Sequence, residues 1–353
     1  MSEKVLMKGN EALAEAAIQA GCRHFFGYPI TPQTELAAYM SKRMPKIGGV
    51  YLQAESEVAA INMVLGASAA GVRAMTSSSS PGISLKSEGI SYLAGSDLPC
   101  LIINIQRGGP GLGGIQPSQA DYWQATKATG HGDFQILVFA PSTVQEMVDL
   151  VAGAFDKADK YRMPAMILAD GMLGQMMEPV AIGEADVKLP EKEWATSGHK
   201  GKRKHNVINS LYIDPNVLEN IVVERYKKYE TIEATEQMSE SYLTEDADIV
   251  LVAYGASSRI ARSAVNSARE LGIKAGLIRP ISLWPFPKDV VAKAGDTAKQ
   301  ILTVEMSMGQ MVDDVRLAVN GKCPVSFFGR TGGIIPTPAE VLEEIKKLAG
   351  GAV

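Results

Sequence analysis

The sequence predicts an α/β protein in which a doubly wound parallel sheet is followed by a second, smaller α/β unit. Short apolar runs alternate with helix-period segments from residue 10 to about residue 180, and the alternation resumes at residue 247. The runs are apolar throughout, which is typical of strands buried on both faces of a parallel sheet. The 34 glycines suit many tight turns between strands and helices.

Six apolar runs of the first unit are predicted strands, joined by crossover helices. Asn10 is the predicted N-cap of an alanine-rich helix that ends near residue 19, with Gly21 as its stop. Residues 142–160 form another predicted helix, because their apolar side chains recur on one face. The predicted strands are residues 24–27, 50–52, 73–76, 100–105, 134–139 and 165–168.

Residues 181–245 break the alternation and are predicted to form an arm between domains at residues 1–180 and 246–353. The arm holds a dense basic patch at residues 199–205. Asp214 and Pro215 then fit the N-cap and first position of a long polar helix that reaches about residue 240. Such a segment is either a solvated arm or one that binds a partner subunit or the anionic tail of a substrate.

The second unit repeats the strand and helix pattern of the first. Its predicted strands occupy residues 248–253, 274–278, 301–305 and 325–328, with a helix at residues 259–271. This pattern predicts a further α/β layer with its own core.

Composition and charge exclude several classes of protein. Apolar residues make up 46% of the 353 residues, and the net charge of −4 argues against nucleic-acid or anionic-membrane partners. Cys22, Cys100 and Cys323 form no CxxC pair, which rules out a zinc ribbon or a four-cysteine iron–sulfur site within the chain. The first residues lack the layout of a signal peptide and no run approaches ~20 apolar residues, so we expect a cytoplasmic protein.

The run Tyr28-Pro29-Ile30-Thr31-Pro32 follows the first predicted strand. Its prolines fix φ on both sides of Thr31 and favour extended backbone in the residues before them. Thr31 is therefore held at the carboxyl end of a strand, and in open α/β sheets that edge is where ligands bind. Taken alone, the run also fits a rigid turn with no further role.

Glu57 begins a helix rich in alanine and glycine, just after the predicted strand 50–52. A carboxylate placed between a strand and an apolar helix is a candidate proton-transfer group, because apolar neighbours raise the cost of its ionisation. The alternative is that Glu57 only stabilises the helix dipole from the first turn.

Arg107 follows the predicted strand 100–105 and enters a glycine loop at residues 108–114. An arginine at this edge can bind a carboxylate through two hydrogen bonds, and the alternative is an ion pair with a surface acid. The loop contains a GxGxxG pattern, but no helix follows it directly and Asp133 precedes its strand rather than following it. A dinucleotide site is therefore not expected.

These motifs resemble the pyrimidine-binding half of thiamine diphosphate enzymes, and specifically the α-subunits of 2-oxoacid:ferredoxin oxidoreductases. The resemblance rests on the Tyr-Pro-Ile-Thr-Pro run and on Glu57 ahead of the A-A-x-x-x-x-x-G-A pattern at residues 59–67, with Glu55 as the less likely match for the family's glutamate. In the second unit, R-P-x-x-L-x-P-F-P at 279–287 and V-E-M-x-M-G-Q at 304–310 resemble the transketolase C-terminal domain of the same family. The resemblance implies a pyrimidine-binding domain over residues 1–180 and a transketolase C-terminal-like domain over residues 246–353.

The resemblance also implies roles for individual residues. Glu57 would protonate the pyrimidine ring of the cofactor, while Arg107 and Thr31 would bind the carboxylate of a 2-oxo acid. Residues 76–82 resemble a T-S-x-P-G loop on the cofactor side, although N-capping explains their hydroxyls equally well. The implied cofactor-binding residues are Glu57, Tyr28, Pro29, Ile30 and Ser79.

The Gly-Asp-Gly…Asn motif with which such enzymes bind diphosphate and Mg²⁺ does not occur in the sequence. The resemblance therefore implies that a β-subunit binds Mg²⁺ and most of the thiamine diphosphate, and no metal site is expected in this chain. It also implies [4Fe–4S] clusters on other subunits of a hetero-oligomer, which include a small ferredoxin-like subunit and a γ subunit. The implied reaction converts a 2-oxo acid to its acyl-coenzyme A and reduces ferredoxin.

Residues 5–10 and 206–210 look most like the branched-chain (2-oxoisovalerate) type, and the 2-oxoglutarate type is close to it. Two other classes are the pyrimidine half of a non-redox thiamine diphosphate decarboxylase and a non-catalytic scaffold. The second unit and the basic arm argue against the decarboxylase. The presence of Glu57, Thr31 and Arg107 argues against the scaffold.

Overall fold

Two mostly parallel sheets and a short antiparallel pair organise the chain, for which a computed structural model describes residues 4–127, 129–183, 187 and 189–350. The elements of the first half are β1 (Lys4–Lys8), α1 (Gly9–Gln19), β2 (His24–Gly27), α2 (Thr34–Arg43), β3 (Val50–Gln53), α3 (Glu57–Ala69), β4 (Ala74–Ser78), α4 (Ser80–Gly95), β5 (Cys100–Gln106), α5 (Tyr122–Thr126), β6 (Leu137–Phe139), α6 (Val144–Tyr161), β7 (Pro164–Asp170), α7 (Gly171–Gln175) and β8 (Met177–Ala181). Those of the second half are α8 (Pro215–Thr235), β9 (Ser239–Tyr242), β10 (Ile249–Val252), α9 (Gly255–Glu270), β11 (Ala275–Pro280), β12 (Ser282–Trp284), α10 (Lys288–Thr297), β13 (Gln300–Glu305), α11 (Met311–Val319), β14 (Val325–Gly329) and α12 (Pro338–Leu348).

The central sheet has the strand order β3-β2-β4-β5-β7-β6-β12. Its first six strands run parallel and correspond to the six predicted strands, which confirms the doubly wound sheet. The strands β4, β5, β6 and β7 are buried along their whole length, as expected when helices cover both faces. The predicted strand 134–139 is too long, because only Leu137–Phe139 pair in the sheet.

The seventh strand, β12, comes from the second half of the chain and pairs antiparallel with β6. Just before it, the Arg279 guanidinium forms ion pairs with Glu146 of the first half and with Glu240. Leu283 and Trp284 of β12 are buried. The two halves therefore share one sheet, which the sequence did not predict because a strand of 3 residues has no periodic pattern of its own.

The second sheet has the order β14-β13-β10-β11-β9. Among its described strands, β9 pairs antiparallel with β11, and the other four run parallel to one another. Its four parallel strands match the four predicted in this half. Helix α9 begins at Gly255 rather than near residue 259, so the turn after β10 is already the first turn of the helix. This sheet packs against α9 and α12 around an apolar core that includes Leu251, Leu277 and Val341.

The predicted N-cap role of Asn10 is wrong. Helix α1 begins at Gly9 with Lys8 as its N-cap residue, and Asn10 lies buried inside the helix. Its amide donates hydrogen bonds to Pro32 O at 2.7 Å and to the Glu35 carboxylate at 3.0 Å. A side chain that serves a distant turn in this way is not available to cap its own helix.

Helix α8 has Asp214 as its N-cap, as predicted, but it ends at Thr235 rather than near residue 240. Glu236 follows it directly and binds the ammonium groups of Lys157 and Lys160, which anchors the chain on α6. The next residues then turn into β9. Although α8 has 21 residues, no helix in the described part of the chain is both long and apolar enough to cross a membrane.

Gln119 joins the two halves through buried hydrogen bonds. Its Nε2 donates to Tyr254 O at 2.9 Å, while its Oε1 accepts from Ser257 Oγ at 2.6 Å and from Met306 N at 2.9 Å. The turn at residues 306–310 is thereby fixed against the segment that follows the glycine loop. The domain boundaries at residues 180 and 245 stay predictions.

Candidate active site

The carboxyl ends of neighbouring strands meet at one edge of the central sheet, and the predicted site residues lie there. Thr31 follows β2, Ser79 follows β4, Arg107 follows β5, and Glu57 opens α3 after β3. These four strands are neighbours in the sheet. The structure thus brings together at the ligand-binding edge residues that are far apart in sequence.

Glu57 is buried, with 5% of its surface exposed, at the first position of α3. Ser56 caps the helix by accepting a hydrogen bond from Ala59 N at 3.2 Å. Gly82 packs against the Glu57 side chain, since a Cβ on Gly82 would lie 2.7 Å from Glu57 Oε1 and 2.1 Å from Ser78 Oγ. Among the described residues, no group donates a hydrogen bond to the Glu57 carboxylate, so this carboxylate can accept a hydrogen bond from an N–H or O–H group of a ligand.

Two amides hold the turn at residues 28–32 in place. Asn10 donates to Pro32 O at 2.7 Å, and Gln33 Nε2 donates to Tyr28 O at 3.2 Å. The sequence analysis missed both amides, which carry no motif of their own. Within the turn, the exposed residues are Pro29 and Thr31, and the half-buried ones are Tyr28 and Ile30.

Arg107 is buried beside Thr31, with 6% of its surface exposed. One Nη donates to the backbone carbonyl of Thr31 at 2.9 Å, and the other donates to Leu112 O at 3.1 Å. The guanidinium therefore fastens the turn to the glycine loop through two of its N–H groups. Its Nε–H is buried and finds no acceptor among the described residues, so donors remain for a ligand.

N-capping explains the hydroxyls of residues 76–82 only in part. Ser79 is the N-cap residue of α4, but its side chain forms no capping hydrogen bond. The hydroxyls of Ser78 and Ser79 are buried and lack a partner within the described ranges. Ser80 instead donates to Asp121 at 2.6 Å and accepts from Arg107 N at 3.0 Å, a link that sequence reasoning missed.

Three carboxylates lie buried behind the edge and hold its loops. Burial raises the pKa of Asp121, although the donors Ser80 and Asn104 oppose the shift. Burial likewise raises the pKa of Asp170, the N-cap of α7, to about 6. Burial also raises the pKa of Glu305, whose carboxylate accepts three backbone N–H groups at the start of α11. All three are paired with donors and therefore have structural roles.

Lys86 of α4 is the charged residue near Glu57 that the sequence analysis did not single out. It is fully buried, and its Nζ donates to Thr76 Oγ1 at 3.0 Å and to Ser77 O at 3.4 Å. The signal was present in the sequence, because Lys86 lies between Ile83 and Ile90 at the spacing of one buried helix face.

The glycine loop is exposed from residue 109 to residue 116, and the next helix, α5, begins only at Tyr122. Gly111 and Gly113 have φ values of 68° and 58°, which side chains rarely adopt. Across the described residues, no group of three or more His, Cys, Asp or Glu side chains is arranged to hold a metal ion.

Two protein-family models match the chain. Residues 15–243 match the family described as pyruvate flavodoxin/ferredoxin oxidoreductase, thiamine diphosphate-binding. Residues 247–341 match core domain II of pyruvate:ferredoxin oxidoreductase. The fold, the edge of the sheet and these matches define a thiamine diphosphate-binding α/β protein of the oxidoreductase class.

Two related proteins are similar to this chain along nearly its whole length. The ketoisovalerate oxidoreductase subunit VorB of Methanothermobacter thermautotrophicus is 49% identical, with 98% of each chain covered. The 2-oxoglutarate synthase subunit KorA of the same organism is 36% identical, with 99% of this chain and 100% of the relative covered. The chain belongs to the 2-oxoacid:ferredoxin oxidoreductase family, as an α-type subunit.

A solved structure has the same fold. It is a 2-oxoglutarate:ferredoxin oxidoreductase from Magnetococcus marinus with 2-oxoglutarate, coenzyme A and succinyl-CoA bound. The two chains superpose with a TM-score of 0.87 at 27% identity, over 98% of this chain. This chain spans 65% of the length of that one.

Proposed function

We propose that this chain is the α-subunit of an oxidoreductase that converts a branched-chain 2-oxo acid, 2-oxoisovalerate, to its acyl-coenzyme A and reduces ferredoxin. The observation that carries the proposal is the meeting of Glu57, Thr31 and Arg107 at one edge of the central sheet. The 49% identity to a ketoisovalerate oxidoreductase subunit supports the choice of substrate.

The residues at this edge fit the pyrimidine half of thiamine diphosphate. The Glu57 carboxylate lies at the carboxyl edge of the sheet with no hydrogen-bond donor among the described residues, so it can hold a proton at a ring nitrogen. When bound, thiamine diphosphate supplies a nucleophilic carbon and an electron sink for decarboxylation. We assign to Glu57 the role of holding the proton at the pyrimidine ring nitrogen. The residues assigned to line the ring are Tyr28, Pro29, Ile30 and Ser79.

Arg107 and Thr31 are proposed to bind the carboxylate of the 2-oxo acid. The Arg107 guanidinium lies against Thr31 and keeps N–H donors beyond the two that hold backbone carbonyls. A planar guanidinium binds a carboxylate through directed hydrogen bonds, and the exposed Thr31 hydroxyl adds a neutral donor beside it. Arg107 would thereby orient the substrate and hold the two loops that surround it.

Other subunits are proposed to complete the active site. The diphosphate and Mg²⁺ would be bound by a β-subunit, because this chain lacks the corresponding motif. The [4Fe–4S] clusters would lie on a small ferredoxin-like subunit and a γ subunit, which pass electrons from the decarboxylated substrate to ferredoxin. Coenzyme A would accept the acyl group within this complex.

A second candidate substrate is 2-oxoglutarate. The 36% identity to a 2-oxoglutarate synthase subunit and the likeness to a 2-oxoglutarate:ferredoxin oxidoreductase support it. Both substrates carry the 2-oxo acid group that Arg107 would bind. They differ only in the side chain, which is apolar in one and anionic in the other.

A substrate panel on the purified complex tests the proposal. The complex is assayed with 2-oxoisovalerate, 2-oxoglutarate and pyruvate, with coenzyme A and ferredoxin present. We expect the highest kcat/KM for 2-oxoisovalerate. A preference for 2-oxoglutarate would establish the second candidate, and no turnover with any of the three would contradict the proposed function.

A further inference from the structure

Lys86 lies where α4 packs against α3. Gly82 and Gly89 belong to the same face of α4 as Lys86, since they are one turn before it and one turn after it. A Cβ on Gly82 would contact Glu57 Oε1 at 2.7 Å, and a Cβ on Gly89 would contact Ile61 Cγ2 at 2.4 Å. Glu57 and Ile61 are one turn apart on α3. Lys86 is therefore at the contact between the two helices, on the side of the Glu57 carboxylate.

The Lys86 ammonium has no ion-pair partner within 4.0 Å in the part of the chain that the structure describes. It is fully buried and donates only to Thr76 Oγ1 and Ser77 O. Burial lowers the pKa of Lys86 to about 8, and the negative charge of Glu57 opposes this shift. A buried ammonium that forms no direct ion pair is costly, so its place near the buried Glu57 carboxylate calls for a reason other than packing.

We propose that Lys86 is a positioning residue for Glu57, whose carboxylate it holds in place at the edge of the sheet through the attraction between their opposite charges. The inference rests on the proposed function, because it assumes that Glu57 is the group that holds the proton at the pyrimidine ring. A methionine at position 86 would complete the apolar face with Ile83 and Ile90, but it would place no positive charge near the Glu57 carboxylate.

A double-mutant cycle on the full chain tests this electrostatic coupling without any need for activity. The variants are Lys86→Met, Glu57→Gln and the double variant, and the measurement is the thermal unfolding midpoint of each. Each single change leaves one buried charge without its opposite, whereas the double change removes both. We expect the loss in the double variant to be smaller than the sum of the single losses. Additive losses would overturn the proposal.

Lys86→Gln separates charge from hydrogen bonding, because glutamine keeps an N–H donor for Thr76 and loses the charge. We expect Lys86→Gln to show the same coupling to Glu57→Gln as Lys86→Met does. The glutamine variant also replaces Lys86→Met in the cycle if the methionine variant does not fold. The matched control is Lys192→Met, at a buried lysine that pairs with Asp159 at 2.6 Å instead of facing Glu57. Its loss should add to that of Glu57→Gln, and equal coupling at both lysines would contradict the proposal.

Kinetics of the assembled complex distinguish a positioning role from a purely structural one. Lys86→Met should lower kcat roughly tenfold or more and leave KM for the 2-oxo acid within about twofold, because Lys86 acts through Glu57 and not on the substrate. An unchanged kcat would overturn the inference. If Glu57→Gln itself keeps full turnover, the proposed function fails, whereas an inactive Glu57→Gln with an additive cycle defeats only the role of Lys86.

Discussion

At the residue scale, the site depends on a few side chains whose surroundings differ sharply from those of their neighbours. Glu57 is buried against Gly82, whereas Glu55, two residues earlier, is exposed. Only Glu57 lies in the helix α3 whose first turn faces the edge of the sheet. The structure thus distinguishes the buried Glu57 from the exposed Glu55, which lies only two residues before it.

Glu57→Gln should abolish turnover of the assembled complex, with a loss of about a hundredfold or more, because glutamine cannot exchange the proton held at the ring. Assembly should be intact, since glutamine has the shape of glutamate. Glu55→Gln is the matched control and should keep near-normal kcat. Both are measured by steady-state reduction of ferredoxin, with gel filtration as the check on assembly. The opposite ranking of the two variants would place the catalytic role on Glu55.

Arg107→Lys should raise KM for the 2-oxo acid and lower kcat/KM, whatever the side chain of the substrate. Each charge-assisted hydrogen bond lost costs about 1.5–3 kcal/mol, hence roughly ten- to a hundredfold in kcat/KM. Lysine keeps the charge but cannot offer the planar fork of donors. Kinetics over several 2-oxo acids check this result.

Thr31→Val should act in the same direction as Arg107→Lys and less strongly, because it removes one neutral donor and leaves the Thr31 carbonyl that Arg107 binds. A double variant no worse than Arg107→Lys would show that both groups act on one carboxylate. If Arg107→Lys has normal kinetics with every substrate, Arg107 only fastens the loops, and the carboxylate site belongs to a partner chain.

At the scale of elements, the close contact of α3 and α4 defines the position of Glu57. Gly82→Ala and Gly89→Ala both place a methyl group between these helices, 2.7 Å from Glu57 Oε1 in one case and 2.4 Å from Ile61 in the other. Overpacking of this kind typically costs about 1–3 kcal/mol, so both variants should unfold at a lower temperature. Only Gly82→Ala should also lower kcat, because it displaces the carboxylate. Equal kcat in both would show that the site tolerates movement of Glu57.

The sequence predicted the parallel strands of both units, but it did not predict the strand that one unit adds to the sheet of the other. The six parallel strands were predicted because a run such as residues 100–105 is apolar throughout. The predicted site residues lie at one edge because strand ends in a parallel sheet meet there, and their roles stay predictions. β12 was missed because its pairing with β6 depends on contacts far away in sequence. Asn10 was misread because its partner, the Pro32 carbonyl, is visible only in the folded chain. Lys86 was overlooked because a lysine is expected on the surface.

At the scale of the whole molecule, the two halves form one framework around the edge of the central sheet. β12 extends that sheet, and Gln119 fixes the turn at residues 306–310 behind the glycine loop. The base of the glycine loop also contacts the second half, since a Cβ on Gly108 would lie 3.5 Å from the backbone at Gly332. The second half therefore supports the loop that Arg107 holds.

Calorimetric titration of the cofactor tests most directly whether this chain supplies half of a thiamine diphosphate site. Thiamine diphosphate with Mg²⁺ is titrated into the isolated chain, into the assembled complex and into the Glu57→Gln complex. We expect weak or no binding to the isolated chain, because it lacks the motif for Mg²⁺ and diphosphate, and tight Mg²⁺-dependent binding to the complex that Glu57→Gln weakens. Tight, Mg²⁺-dependent binding by the isolated chain would contradict the half-site, and binding by the complex that is indifferent to Glu57→Gln would contradict the place of Glu57 in it.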